Sequence, residues 1–506
     1  MSGALDRQEL ESRRVYRSAA LAVAVTWSLR LIGLVSVFIL ARLLSPADFG
    51  IAGLAMATVA LVELFSVIGL RQALLRIAQP ERSHLDTAWT IQLLLFGGLT
   101  IILIAVAPFA ARLYGEPALA PVIAVLASRF LFLGLVNIGI VDFDRNLDFG
   151  RDMRMRVGAR IASFLVTVVA ALLLRSYWAL VIGLVLQSAL LALASYSAHP
   201  YRPRLSLARH RELLGVSGWM FLNFSAQVVH HQLERLVIGR FGAMHLVGLY
   251  SVSKDLASIF TQEIATALNR VTFVTTARTG RPLSEDPQRI GAILGAYAII
   301  AAPLGLGLAA ASENVVAVLL GSQWSDAAPL LRLIAPASAL YAVYKVIASS
   351  LQAAGLERRG ALLTCAGTAA AAAGFSATAW LGGGAPGLAA TALAVAAGLL
   401  ALGTFVLARV AVTRTITLGM NIIRPLAAAL AMLWMVRALG PQIGTPLAGL
   451  LLQVALGAVC YVAALLALWF ACSRPAGAEA QAMTMVEPAL RRAAAALQRW
   501  RLSRTI

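Results

Sequence analysis

"ARLLSPADFGIAGLAMATVALVELFSVIGLRQAL" (41–74) decides the fold class. Arg42 and a Ser-Pro turn lead into a nearly unbroken apolar run over 49–70, which ends at Arg71 and Arg76. A run of about 20 apolar residues is what crossing a bilayer as a helix requires. The surrounding chain agrees with that reading. Hydrophobic residues make up 60% of it and charged residues 13%, against roughly 25% charged in soluble domains. The chain therefore belongs in a membrane.

The same length test gives about fourteen spans, near 19–41, 49–70, 88–111, 118–140, 157–174, 177–196, 213–239, 246–269, 290–311, 328–351, 361–381, 386–408, 421–438 and 447–471. Loop charge checks the count independently. Connections on one side carry Arg13, Arg14 and Arg17, then Arg71, Arg76 and Arg82, then Arg151, Arg154 and Arg156, and so on to a tail with Arg491 and Arg492. Those on the other side have only Arg42, Arg112, Arg175, Arg240 and Arg437. By the positive-inside rule, both termini and every basic connection are expected in the cytoplasm.

The net charge of +19 is thus distributed as loop clusters, without the aromatic interleaving of a nucleic-acid surface, so no nucleic-acid partner is expected. Cys365, Cys460 and Cys472 lie in or beside apolar runs with no ligand spacing, so neither disulfide nor metal is expected. The run from Ala19 to Ala41 is too long for a signal peptide and reads as a retained first span. Segments 1–18 and 472–506 read as cytoplasmic, and Leu490, Ala494 and Leu497 of the latter suit either an interfacial helix or a disordered basic tail.

Ionisable residues inside the spans carry the functional argument, because such residues usually face a bundle interior or a wet cavity. Arg30, Arg129, Lys254 and Lys345 are the deep cations, and Glu63, Asp255 and Glu263 the deep acids. Polar residues recur at helical spacing in three spans: Asn223, Gln227, His230 or His231, and Glu234; Ser251, Lys254, Ser258 and Gln262; Ser338, Tyr341, Lys345 and Ser349. Each set forms a stripe along an apolar cylinder, as the lining of a hydrated lumen would. Structural pairs such as Glu63 with Arg30 compete with that reading. Glu234 and Arg235 are expected at the outer interface, and the histidines as hydrogen-bonding groups, not metal ligands. Arginine in the lumen suits phosphate, since its planar fork donates two hydrogen bonds at once.

A faint repeat links "ARLLSPADFGIAGLA" (41–55) to "GRFGAMHLVGLYSVS" (239–253), with Gly50 over Gly248 and Arg42 over Arg240. The 41–74 stretch also resembles the polysaccharide-exporter branch, the Wzx-type oligosaccharide flippases, of the multidrug/oligosaccharidyl-lipid/polysaccharide flippase superfamily. "DRNLDFGRDMRMRV" (144–157) and "GLYSVSKDL" (248–256) resemble it as well. The resemblance implies an all-helical membrane fold of the MATE and MurJ kind. Two six-helix lobes, 19–204 and 205–408, would form a V-shaped cavity, with two further helices in 409–471. It implies transfer of undecaprenyl-diphosphate-linked sugar units to the periplasmic leaflet of the bacterial inner membrane, with a lumen arginine that matches Arg30. Membrane lipids, a polymerase and a chain-length protein are the implied partners. No cofactor is implied beyond proton or sodium coupling at Glu63, Asp255 or Glu263. A multidrug cation antiporter and a lipid II flippase are the rivals within the superfamily. A membrane-embedded polysaccharide enzyme, for which "DFD" (142–144) would be a formal metal motif, is the rival from another class.

Overall fold

A computed structural model describes residues 25, 27–66, 70–77, 79–146, 148–213, 218–279, 287–354, 356–439, 445–472 and 478–480, with 262–279 as backbone alone. Segment 1–18, most of 472–506, and the side chains of Gln262 and Glu263 lie outside the described residues. Among the described residues the chain is helical, with turns and no strand. Ten helices are long and apolar enough to cross a membrane, and one pair bent by 65° adds an eleventh if counted as one span. The shorter or more polar helices stand over the remaining expected segments. The protein is an all-helical, multi-pass membrane protein.

Two compact units divide the chain: residues through Ser251 with Leu319–Gln323, and Val252–Val318 with Trp324 onward. The sequence expectation divided it after residue 204. The first unit holds α1 (27–43), α2 (Pro46–Glu63), α3 (Leu70–Arg76), α4 (Arg82–Tyr114), α5 (Leu119–Gly134) and α6 (Val141–Arg145). It continues with α7 (Phe149–Leu174), α8 (Trp178–Ala198), α9 (His210–Leu213), α10 (Gly218–Phe241) and the start of α11 (Met244–Thr279).

The Ser-Pro-Ala-Asp stretch is a helix start. Ser45 caps α2, Pro46 takes the first helical position, and Asp48 completes a reciprocal capping box: Ser45 N–H donates to Asp48 Oδ2 (3.0 Å) and Asp48 N–H to Ser45 Oγ (3.3 Å). The other Asp48 oxygen accepts from Tyr177 N–H (3.0 Å), joining α2 to the start of α8. Gly50 then lets α2 cross α11 with backbone against backbone. A Cβ on Gly50 would lie 1.9 Å from Met244 O, and one on Gly248 1.7 Å from Pro46 O. Each glycine meets the carbonyl four residues before the other. The two repeat motifs therefore pack on each other as a locally two-fold crossing.

The fourth expected span is broken between α5 and a short 3-10 turn that leads into α6. Gln92 of α4 closes the break, its Nε2 donating to the carbonyls of Leu133, Gly134 and Val136 at 3.0–3.2 Å. Asn137, fully buried, accepts Gly139 N–H (2.9 Å) on its side chain and donates to Tyr201 O (2.8 Å).

The connection 199–213 straps across the start of α4. Tyr201 Oη donates to the buried Asp86 (2.5 Å), and Arg204 N–H donates to the same oxygen (3.0 Å). Ser206 N–H donates to Thr90 Oγ1 (2.9 Å). Burial, followed by the Asp86 hydrogen bond, raises the Tyr201 phenol well above its ordinary range. His84 Nδ1 accepts Glu81 N–H, so its proton sits on Nε2 and is donated to Glu212 (3.0 Å). The Arg209 hydrogen bond, then that from His84, holds the Glu212 carboxyl below its usual range.

The second unit contains most of α11, then α12 (Pro287–Ala310), α13 (Ser312–Leu319), α14 (Ala327–Ala353), α15 (Glu357–Trp380), α16 (Gly384–Val410), α17 (Thr415–Leu439) and α18 (Pro446–Ala471). Its core runs through α12, α14, α16 and α17 around Leu294, Tyr297, Ile347 and Leu407. Pro303 interrupts α12 and frees the carbonyl of Ile299, and Tyr461 Oη of α18 satisfies it (2.8 Å). Residues 478–480, within the segment expected to be a basic tail, are helical, with Ala478 and Glu479 buried. Glu479 lies 3.4 Å from Arg424 Nη1, both side chains almost wholly covered.

Candidate functional site

In the first unit, Arg30 lies half-buried on α1. Glu63, at the end of α2, lies 3.9 Å from Arg129 of α5. These two side chains are 38% and 30% exposed, so the pair is only partly covered. On α10, Asn223 is buried, and Gln227 and His230 are half-buried on the same stripe. His231 is exposed. Asn223 Oδ1 has no hydrogen-bond partner among the described residues. Glu234 and Arg235, expected at the outer interface, are both 7% exposed. Arg235 Nε donates to Ser251 Oγ of α11 (3.2 Å), so this face of α10 packs against α11.

Arg160 was not singled out from sequence. It sits on α7, eleven residues from the helix start, and its Nη1 donates to Gln187 Oε1 of α8 (2.5 Å). Its Nη2 lies 3.3 Å from where a Cβ on Gly33 of α1 would be. It lies near the start of the expected span 157–174, close to Arg154 and Arg156 of the preceding basic connection. Arg156 pairs with Asp152 (2.7 Å), whereas Arg160 has no carboxylate within 4.0 Å among the described residues.

In the second unit, Lys254 is buried and Asp255 half-buried on α11. Lys345 is half-buried on α14 and has no hydrogen-bond or ion-pair partner among the described residues. Tyr341, one turn away, stacks at 5.6 Å with Tyr344. A separate cavity of about 640 Å³ lies among α12, α14, α16 and α17. Its walls are aliphatic, including Leu306, Leu333, Leu430 and Leu433, with Arg332 and Arg437 near the ends of their helices. Such walls suit a hydrocarbon chain, not a hydrated headgroup.

No cluster of three metal-binding side chains occurs among the described residues. The "DFD" carboxylates have structural partners: Asp142 lies 3.4 Å from His199, and Asp144 pairs with Arg71.

The family model described as "Polysaccharide biosynthesis protein" matches residues 39–329. The chain belongs to this family. Within that match, the capping box and the Gly50–Gly248 crossing give physical content to the motif at its beginning. The lipopolysaccharide biosynthesis protein WzxC of Escherichia coli is 26% identical over 64% of this chain and 66% of its own length. The succinoglycan biosynthesis transport protein ExoT of Rhizobium meliloti is 28% identical over 60% of this chain and 61% of its own. The chain thus spans just under two thirds of these relatives' lengths. Among solved structures, the lipid II flippase MurJ in an inward closed conformation covers 90% of this chain and 100% of its own, with a TM-score of 0.70 at 12% identity. That similarity establishes the fold: this family member is built on the MurJ plan.

Proposed function

We propose that this protein moves a polyprenyl-diphosphate-linked oligosaccharide from the cytoplasmic to the periplasmic leaflet by alternating access, for assembly of an exported polysaccharide. The observation that carries this reading is the presence of cations without acids inside apolar helices. Arg160 and Lys345 have no carboxylate partner among the described residues. A charge at the centre of a membrane helix costs about 2.5–3.5 kcal/mol even on the gentlest scale. A diphosphate supplies the missing counter-charge, and hydration supplies it between loads.

Arg30, Arg129, Lys254 and Lys345 are assigned to the phosphate groups. Asn223, Gln227, His230, Gln262 and Tyr341 are assigned to the polar lining that the sugars pass. Glu63, held near Arg129, Asp255 and Glu263 are the groups through which a proton or sodium ion would couple. An anionic headgroup moving outward across an inside-negative membrane gains ~2.3 kcal/mol per charge per 100 mV. WzxC and ExoT support this substrate class by their polysaccharide roles, and the MurJ-like fold is compatible with a lipid cargo.

The test is a deletion strain assayed for lipid-linked repeat units. Wild type is expected to clear units that accumulate on the cytoplasmic side, and Arg30→Ala to leave them. Full rescue by Arg30→Ala removes that residue from the mechanism.

A further inference from the structure

We propose that Arg160 is a second guanidinium of the anion site to which Arg30 belongs, and that Gly33 is kept bare so that Arg160 can reach it. This rests on the reading of Arg30 given above and extends it to residues on α7 and α1.

The geometry is specific. Arg160 Nη2 rests against α1 at Gly33, at 3.3 Å from the missing Cβ. Arg30 is three residues earlier on the same helix, about 4.5 Å along the axis and 60° round it. The only hydrogen-bond partner of the Arg160 guanidinium among the described residues is the neutral Gln187. An arginine carries five N–H donors, so one amide oxygen leaves most of the fork and all of its charge unmatched. Gln187 instead fixes the direction of the fork, as a group that orients an anion-binding arginine should.

Two guanidiniums directed at one site can hold a single anion between them. A diphosphate offers each fork its own phosphate group and carries more negative charge, whereas on a monophosphate the two forks must share three oxygens. The site should therefore discriminate diphosphate from monophosphate, and Arg160 should carry much of that difference.

The experiment uses the full chain in detergent micelles, with farnesyl diphosphate, farnesyl monophosphate and farnesol as probes in calorimetric titrations. Wild type is expected to prefer the diphosphate. Arg160→Gln should weaken diphosphate binding at least about tenfold, the loss expected for a charged hydrogen bond, and leave farnesol binding unchanged. Arg160→Lys should fall between, because it keeps the charge but not the fork. Gly33→Leu should reproduce the Arg160→Gln loss by filling the space that the guanidinium uses. A melting temperature of unliganded Arg160→Gln equal to that of wild type shows that the loss is not misfolding. If Arg160→Gln keeps the wild-type diphosphate preference while Arg30→Ala loses it, the Arg160 inference is overturned and the Arg30 site stands. If wild type binds all three probes alike, the anion site itself is refuted, and Arg160 with it.

Discussion

Replacing Gly50 or Gly248 by alanine tests the crossing on which the repeat motifs converge. A Cβ at Gly248 would lie 1.7 Å from Pro46 O, and real Cβ atoms essentially never approach within 3.0 Å. Both partners are helix backbone, so no side chain can rotate away. α2 and α11 must separate by more than an ångström where they are closest. Overpacking of this kind costs typically about 1–3 kcal/mol, and the rigid backbone on both sides puts it at the upper end. Since 1.4 kcal/mol is a factor of ten, local opening should rise by roughly 10- to 100-fold. Hydrogen exchange of amides in 46–54 and 244–252, followed by mass spectrometry, reads that opening directly. Gly97→Ala is the internal control. It is also in a helix, but nothing lies within 4 Å of its Cβ position, so alanine there should be neutral or stabilising by up to ~1 kcal/mol. Equal exchange in Gly248→Ala and Gly97→Ala would refute the close crossing.

Three further outcomes follow from the 199–213 strap and the buried pair. Asp86→Ala removes the acceptor shared by Tyr201 and Arg204. It should cost about 2–3 kcal/mol and expose the 199–209 strap to limited proteolysis. Glu479→Ala leaves Arg424 charged and buried without its counter-ion. A loss of about 3–5 kcal/mol is expected in chemical denaturation, well beyond that of exposed Arg209→Ala. In pH titration of thermal stability, the depressed Glu212 carboxyl stabilises above its ordinary value of 4.5, and that part is lost as pH falls through its lower folded value. The raised Tyr201 phenol stabilises below its ordinary value of 10.0 and loses that contribution as pH rises beyond it. Asp86→Ala should reduce the alkaline limb, leaving the part due to burial, and leave the acid limb unchanged.

The all-helical membrane class was legible because a bilayer demands long apolar runs, a signal that does not depend on packing. What was not legible depends on which helices are neighbours. The sequence suggested Arg30 as the partner of Glu63, whereas the packing of α2 on α5 brings Arg129 to it. The break in the fourth span depends on Gln92, a single polar residue forty positions away in an apolar run. Arg160 lies only three residues inside the expected span 157–174, and sequence alone does not show that its guanidinium rests against Gly33 of α1. The repeat offset between Gly50 and Gly248 was visible, but an offset carries no distance, so their contact was not. Residues 478–480 read as tail because no periodic apolar pattern marks three residues anchored by one buried carboxylate.

The central claim is that fixed cations in the bilayer interior carry a phosphate headgroup across it, and reconstitution tests this most directly. Liposomes containing the full chain and a fluorescent polyprenyl-diphosphate sugar would be followed by quenching of label exposed to the outside. The account predicts a protein-dependent rise in the accessible fraction, a rate reduced at least about tenfold in Arg30→Ala, and no protein dependence for an analogue without phosphate. Movement at the protein-free rate, or equal rates for wild type, Arg30→Ala and the uncharged analogue, would contradict it.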